Sequence, residues 1–162
     1  MRRADRTGIL LVCFVIALDQ VTKWILDRAL NLHQSVTVIP GFLNLTYVRN
    51  TGAAFGFLSS PEPGLRSTLL TVFSLIAIGA IIALWIKDRE AGWVFVMGLA
   101  MVLGGAVGNL IDRVRLGEVV DFVDVYWRGY HWPAFNVADS AITVGVIFLL
   151  AHVVLQRPRP GR

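Results

Sequence analysis

The sequence predicts a mainly α-helical integral membrane protein, with four transmembrane helices and a small extracytoplasmic β hairpin or sheet. Three observations support this prediction. Hydrophobic residues make up 56% of the 162 residues, whereas charged residues make up only 16%. The apolar residues form four long runs, and arginines and lysines cluster at the ends of these runs. A soluble domain of this length could not bury so much apolar surface, and a disordered chain would be far more polar.

Two of the apolar runs are long enough to cross a membrane by themselves. Residues 67–86 and 91–111 are uncharged and 20 and 21 residues long, and about 20 helical residues cross a hydrocarbon core. The other two runs reach this length only by including ionisable residues, which gives spans at about 8–26 and 137–156. Ionisable residues in a membrane are costly unless they face protein or water, so these two spans point to a functional site.

Three basic clusters predict how the four spans are oriented. One precedes the first span, one joins the second to the third, and one follows the fourth, so an even number of spans places all three on one side. Short loops rich in Lys and Arg usually face the cytoplasm. We therefore expect one membrane domain over 1–162, with cytoplasmic termini and with segments 31–66 and 112–135 outside. The clusters are Arg2, Arg3 and Arg6; Lys87 and Arg89; and Arg157, Arg159 and Arg162.

The net charge of +4 does not indicate a nucleic-acid partner. The basic residues flank the apolar runs and form no stripe with interleaved aromatic residues, which is the usual footprint of nucleic-acid binding. No small-x-small cleavage pattern follows Leu18, so we expect the first span to be retained rather than removed as a signal peptide. We expect the helices of the protein to be surrounded by membrane lipid.

The outer segments are predicted to contain strands. Residues 35–39 and 42–48 are rich in β-branched and aromatic residues and are separated by a Pro-Gly turn, which predicts a hairpin over the membrane. Residues 119–127 have a similar composition and predict a further strand. In a strand Asp121 would point away from Asp124, whereas a helical turn would bring the two together.

Polar residues gather near the predicted outer ends of the spans. Asp19 and Lys23 are four positions apart, so they are neighbours on one helix face and predict an ion pair that supports the site. Asn50 begins a loop of small residues that either allows backbone to approach a ligand or forms only a tight turn, and both interpretations stay open. Gly104 and Gly108 form a pattern that favours close helix packing. The third span then ends with the polar residues Asn109, Asp112 and Arg113.

Two aspartates are candidates for catalysis. Asp121 lies among apolar residues, and Asp139 follows Asn136 at the start of the fourth span. A close pair of buried carboxylates does not readily ionise twice, so one proton is shared and the acid and base roles separate. Such a pair can activate a water to attack an amide. A proton relay or a helix cap would use the same residues.

Five short motifs, taken together and in order, resemble those of the bacterial lipoprotein signal peptidase family, signal peptidase II. They extend from Asp19 to Ser140, about three quarters of the chain. Each motif alone is weak, whereas five in order are very specific. The motifs are Asp19-Gln20-x-Thr22-Lys23, Arg49-Asn50-Thr51-Gly52-Ala53-Ala54-Phe55-Gly56, Gly108-Asn109-Leu110-Ile111-Asp112-Arg113, Val119-Val120-Asp121-Phe122 and Phe135-Asn136-Val137-Ala138-Asp139-Ser140.

The resemblance implies an aspartyl endopeptidase of the bacterial inner membrane, with its active site at the outer face. Such an enzyme removes signal peptides from prolipoproteins, cutting before a cysteine that carries a diacylglyceryl group. By position in the motifs, Asp121 and Asp139 would be the catalytic pair. The other motif residues would contact the substrate or support the site: Asn50, Asn109, Arg113, Asn136, Asp19, Lys23 and Asp112.

Asp112 is the alternative to Asp121, because it too is an aspartate within reach of the fourth span. We favour Asp121 and expect Asp112 to pair with Arg113 or to make capping contacts. No metal or other cofactor is expected, since the three histidines are scattered and no pair of them has ligand spacing. No serine stands in a nucleophile motif with a partner His or Lys, which argues against a serine peptidase. The proposed chemistry requires no oligomer.

Two other classes of function remain open at this point. A small proton-coupled transporter could use the same aspartates, but its ionisable residues should lie near mid-membrane rather than at one end of the spans. A non-catalytic membrane adaptor would need no paired carboxylates.

Overall fold

The structure is a computed structural model that describes residues 3–52, 63–88 and 92–155. Its helices are α1 (Arg3–Ala29), α2 (Pro63–Lys87), α3 (Trp93–Leu116) and α4 (Val137–Leu155), and its strands are β1 (Ser35–Ile39), β2 (Leu43–Asn50), β3 (Val119–Trp127) and β4 (Tyr130–His131). All four helices are long and apolar enough to cross a membrane, and the strands form one small sheet, so the predicted fold class is confirmed. Several arginines of the predicted basic clusters lie outside the described residues: Arg2, Arg89, Arg157, Arg159 and Arg162.

Helix α3 is the central helix and packs against the other three. Glycines on α3 allow this helix to pack closely against α1. A Cβ atom on Gly104 would lie 2.8 Å from Cβ of Val15, and a Cβ atom on Gly108 would lie 2.7 Å from Oδ2 of Asp19. A side chain at either position would force Val15 or Asp19 to shift, so the two glycines allow the close packing that the small-residue pattern predicts.

Helix α3 continues past the predicted end of its span at residue 111. Asp112 and Arg113 are therefore helical, and the helix ends at Leu116. It stops where Gly117 adopts a left-handed conformation (φ 74°) and donates its N–H to the carbonyl oxygen of Arg113, 2.9 Å away. A glycine in this conformation is a common helix stop. The extra turn carries the polar residues up to the sheet.

Large apolar side chains cover the outward faces of the helices. Phe73 and Ile76 on α2 are 62% and 63% exposed, and Leu150 on α4 is 60% exposed. An apolar surface of this extent would be a liability in water, whereas it suits contact with lipid.

The strands form an antiparallel sheet in the order β1-β2-β3-β4. The predicted hairpin is confirmed, with Ser35 opposite Thr46. The predicted strand over 119–127 is confirmed as β3, which pairs with β2 so that Asp121 lies opposite Val48. The sheet therefore joins the two outer segments, which are far apart in sequence.

The chain returns along β3 before it enters α4. It turns at Arg128 and Gly129, both of which have positive φ (50° and 84°), and then follows β3 in the opposite direction. The amide of Phe135 donates to the carbonyl oxygen of Val123, 3.1 Å away. Because α4 begins two residues later, its first turn lies close to the middle of β3.

Candidate active site

A buried ion network joins α1 to α3 beside the sheet. Lys23 Nζ lies 2.8 Å from Asp19 Oδ2, 2.7 Å from Asp112 Oδ2 and 3.1 Å from Asn109 Oδ1. All four side chains are at most 5% exposed. The predicted pair of Asp19 and Lys23 is present. Of the two contacts expected for Asp112, the ion pairs of the described residues include none with Arg113, whereas Asp112 does accept a backbone N–H, that of Val120. Consecutive helical residues point in different directions, so Asp112 turns to α1 instead.

Gln20 completes this network, although its motif position alone did not single it out as a site residue. Its Nε2 donates to Asp19 Oδ2 (3.2 Å), to Asp112 Oδ1 (3.1 Å) and to the carbonyl oxygen of Gly108 (3.2 Å). Asp112 Oδ2 also accepts the backbone N–H of Val120 at 3.2 Å. Asp112 therefore fixes the start of β3, one residue before Asp121.

Asn136 links the two candidate catalytic residues. Its Oδ1 accepts the backbone N–H of Asp139 (2.9 Å), and Asp139 Oδ2 accepts the backbone N–H of Asn136 (3.2 Å), so the pair forms a reciprocal helix cap. The Nδ2 of Asn136 is then free to donate to Asp121 Oδ1 at 2.7 Å and to Asn109 Oδ1 at 3.2 Å. A single buried amide thus holds the start of α4 and the carboxylate on β3.

Asp121 is held from the other side by Asn50. Its carboxylate is 2% exposed, and its Oδ2 accepts Asn50 Nδ2 at 2.9 Å. Asn50 Oδ1 accepts the N–H of Gly52 at 2.8 Å, where the positive φ of 81° suits glycine. The tight turn is therefore present and aims Asn50 at Asp121, whereas the approach of this backbone to a ligand stays a prediction. The rest of the motif, residues 53–56, lies outside the described residues.

Burial raises the pKa of Asp121 to about 6. The nearby charge of Asp139 raises this pKa as well, while the hydrogen bonds from Asn50 and Asn136 oppose the shift by favouring the carboxylate. The result is a carboxyl group that can hold or release a proton near neutral pH. General acid and base catalysis requires such a group.

Asp139 is connected to the ion network through Asn109. Asn109 Nδ2 donates to Asp139 Oδ1 at 2.8 Å, and Asn109 Oδ1 accepts from Lys23 and Asn136. The oxygen and nitrogen of this amide are therefore assigned by their partners. The network runs without interruption from Lys23 to both aspartates.

Two recesses meet the two aspartates. A mostly apolar cavity of about 380 Å³ lies between α2, α3 and α4, with Asp139, Asn109 and Arg113 at its polar end. Arg113 Nη1 donates to Ser74 Oγ on α2 at 3.3 Å, so the guanidinium spans this cavity. A groove of about 330 Å³ lies above the sheet and reaches Asp121. Its other lining residues are Val48, Arg49, Asn50, Thr51, Pro133 and Ala134.

The arrangement suits hydrolysis of an extended peptide. A chain that crosses from the groove to the cavity would pass both carboxylates, and a water between them would find an acceptor and a donor. Among the described residues, no group of three or more His, Cys, Asp or Glu side chains could hold a metal ion. The polar residues lie at one end of the helices, beside the sheet, rather than at mid-length.

Comparison with known proteins identifies the family. Residues 11–155 match the family model described as signal peptidase (SPase) II. The chain is 51% identical over 140 residues to the lipoprotein signal peptidase of Syntrophus aciditrophicus, covering 86% of this chain and 87% of that protein. It is 49% identical over 144 residues to the lipoprotein signal peptidase of Geobacter sulfurreducens, covering 89% of each.

Two solved structures described as bacterial membrane enzymes have the same fold. One superposes with a TM-score of 0.80 at 40% identity, covering 94% of each chain. The other superposes with a TM-score of 0.81 at 38% identity, covering 96% of this chain and 93% of that one. The comparisons do not support the transporter alternative. The chain therefore belongs to the signal peptidase II family of membrane aspartic peptidases.

Proposed function

We propose that this protein removes the signal peptide from diacylglyceryl-modified prolipoproteins by cutting before the lipidated cysteine, with Asp121 and Asp139 as its catalytic pair. Membership of the signal peptidase II family supports the reaction. The observation that supports these two residues is their shared link to Asn136, whose side chain accepts from the backbone N–H of Asp139 and donates to the carboxylate of Asp121. Asp121 lines the groove, and Asp139 lines the cavity. Asp19, Lys23 and Asp112 support the pair from behind.

In this proposal the two carboxyl groups exchange roles during the reaction. One, ionised, takes a proton from a water whose oxygen attacks the scissile carbonyl carbon, while the other, protonated, donates its proton to the carbonyl oxygen. The first then gives its proton to the amide nitrogen as the carbon–nitrogen bond breaks, and the hydroxyl proton returns to the second. The raised pKa of Asp121 suits it to hold the proton at the start.

The membrane should supply most of the substrate's anchoring. Each CH₂ of a diacylglyceryl group gains about 0.8 kcal/mol by staying in an apolar environment, so the protein needs only to align the peptide. Asn50 and Arg113 lie on either side of the aspartates, one lining the groove and the other lining the cavity. We expect them to position the extended peptide as it arrives sideways from the lipid.

The proposed orientation places the active site at the outer face of the bacterial inner membrane, with both termini in the cytoplasm. Its support is the basic residues at the other end of the helices, including Arg3, Arg6 and Lys87. The sheet and all the site residues lie at the opposite end from these residues. No second copy of the chain is needed to complete the site.

The experiment compares a diacylglyceryl-modified prolipoprotein with its unlipidated precursor at the same detergent concentration. Purified protein should shorten the lipidated substrate on a gel and should cut the unlipidated one about 100-fold more slowly, because a misplaced peptide reacts poorly. Equal cleavage of both would contradict the proposed specificity and leave a general intramembrane aspartyl protease. No cleavage of either would contradict the proposed function.

A further inference from the structure

Residues 130–136, which include β4 and end just before α4, control where Asn136 lies. We call these residues the return segment. It carries Asn136 at its end, and Pro133 and Ala134 form one wall of the groove that reaches Asp121. A shift of this segment would therefore move both the wall of the groove and the amide that holds the two aspartates.

Beyond β4, few backbone hydrogen bonds hold the return segment against β3. The amide of Trp132 donates to the carbonyl oxygen of Val125 at 2.8 Å. Three bonds then join Phe135 to β3: its N–H donates to Val123, and its carbonyl oxygen accepts from Phe122 and Val123, at 2.8 to 3.1 Å. Pro133 lies between these points and has no N–H to donate.

A side-chain clasp holds the beginning of the return segment. His131 Nδ1 lies 2.7 Å from Asp124 Oδ1, and Asp124 Oδ2 accepts Asn44 Nδ2 of β2 at 2.8 Å. The imidazole stacks on the ring of Tyr126, with 5.0 Å between ring centroids. Tyr126 in turn accepts the N–H of Gly41 in the β1–β2 turn at 2.8 Å. The clasp thus ties the return segment to β3, to β2 and to the β1–β2 turn.

The charge on Asp124 persists across the physiological pH range. Partial burial of Asp124 raises its pKa. The hydrogen bonds from Asn44 and His131 and the charge of a protonated His131 together lower this pKa by a larger amount, so the net shift is downward. The titratable groups in contact with the imidazole are Asp124 and Tyr126, both on β3. A carboxylate acceptor makes the contact stronger than a neutral hydrogen bond.

We propose that His131 and Asp124 are positioning residues for catalysis: their contact fixes the return segment and thereby holds Asn136 against Asp121. The inference rests on the proposed peptidase function. Neither residue touches the aspartates directly, and the effect passes along the chain from His131 to Asn136. The rival explanation is that the backbone bonds of Phe135 alone suffice and that the clasp only stabilises the sheet.

The proposal has a consequence that mere stabilisation lacks. The hydrogen bond from Asn136 favours the charged form of Asp121, so a displaced Asn136 would raise the pKa of Asp121 further. The charged groups that face Asp121 from the helices are Asp139, Lys23 and Arg113, and all three are retained when the clasp is removed. Because Asp121 acts in its protonated form, the high-pH limb of the activity profile, where Asp121 loses its proton, should therefore move to higher pH.

The test measures kcat, KM and the pH profile with a diacylglyceryl-modified prolipoprotein. His131→Ala and Asp124→Asn should each lower kcat by about tenfold, since even small misplacements of catalytic groups are costly. Both should also shift the high-pH limb to higher pH. The kcat of the double variant should be no lower than that of the less active single variant. His131→Asn, which keeps a polar atom near the position of Nδ1, should recover part of kcat.

The matched control is Tyr130→Ala, because Tyr130 precedes His131 and is 85% exposed. It should leave kcat and the pH profile unchanged. Wild-type kcat and an unshifted profile in His131→Ala would overturn the inference, as would a lower melting temperature with an unshifted profile. If the alanine variant does not fold, the profile of His131→Asn decides. Absence of cleavage by the wild type would overturn the proposed function itself.

Discussion

The ammonium group of Lys23 lies 2.7 Å from the carboxylate of Asp112. This contact distinguishes Asp112 from Asp121, the two candidates for the aspartate that acts together with Asp139. Asp112 accepts hydrogen bonds from Gln20 and from the backbone of β3 in addition to its ion pair. Within the described part of the chain, Asp121 accepts hydrogen bonds from only two side-chain amides and borders an open groove. The geometry supports Asp121 rather than Asp112 as the catalytic partner of Asp139, with Asp112 holding the start of β3 in place.

The first prediction concerns Asp112→Asn. The substitution leaves Lys23 paired with Asp19, so the protein should insert and should retain partial activity. Its free energy of unfolding should fall by about 1.5–3 kcal/mol, the typical worth of a hydrogen bond to a charged group, because Lys23 keeps Asp19 as its ionic partner. Thermal melting in detergent and a cleavage assay together measure both effects. A well-folded but inactive Asp112→Asn, beside an active Asp121→Asn, would move the catalytic pair to Asp112 and Asp139.

The second prediction is the pH dependence of stability. The pKa of Asp121 is raised from an ordinary value of 3.8 to about 6 in the fold. Between these values the folded protein holds a proton that the unfolded chain has released, so stability should fall as the pH rises from about 4 to about 6. The contribution is on the order of 3 kcal/mol.

In the variant Asp121→Asn this position cannot titrate. Its melting temperature should therefore fall less with rising pH than that of the wild type in this pH range. Melting curves at pH 4, 5, 6 and 7 for the two proteins provide the comparison. Equal slopes in the wild type and the variant would show that Asp121 does not hold a proton in this range.

The third prediction uses the close contact between α3 and α4. A Cβ atom on Gly105 would clash with the backbone oxygen of Ala138, the residue before Asp139. Gly105→Ala should therefore push the two helices apart, cost about 1–3 kcal/mol of stability and reduce the cleavage rate. Gly79→Ala on α2 is the control, because no atom lies within 4 Å of the added Cβ. Unchanged activity and melting in Gly105→Ala would refute this packing argument.

The fourth prediction is topological. Reporter fusions at Arg6, Asp88 and Arg159 should report the cytoplasm, and fusions at Thr46 and Arg128 should report the outside. The expected pattern follows from the basic residues at one end of the helices and the sheet at the other. An external reporter at Asp88 would contradict the four-span arrangement.

Local patterns in the sequence predicted the elements, but not how they meet. Apolar run length predicts the helices, and β-branched composition with a Pro-Gly turn predicts the hairpin. The charges at Asp112 and Arg113 predict that the membrane span ends at residue 111, whereas the helix itself continues to Leu116, so the end of an apolar run does not mark the end of α3. A helix can continue through charged residues beyond its apolar run when those residues form ion pairs or hydrogen bonds with other parts of the protein, as Asp112 and Arg113 do.

Contacts between residues far apart in sequence leave no local signal. The pairing of Asp121 with Val48 across two strands, and of Asp112 with Lys23 across two helices, depends on the assembled fold. The clasp of His131 and Asp124 joins residues only seven positions apart, but it depends on the pairing of β3 with β4, and β4 was not predicted from the sequence. The five motifs identified the catalytic candidates only as a set.

Replacing each catalytic aspartate by asparagine tests the central claim most directly. Asp121→Asn and Asp139→Asn keep the size of the side chain and remove the ionisable group. Each purified variant should retain near-wild-type insertion and folded yield, yet cleave a diacylglyceryl-modified prolipoprotein about 100 to 10,000 times more slowly than the wild type, because acid and base catalysis is lost. A folded variant of either residue that still cleaves at close to the wild-type rate would contradict the assignment of Asp121 and Asp139 as the catalytic pair.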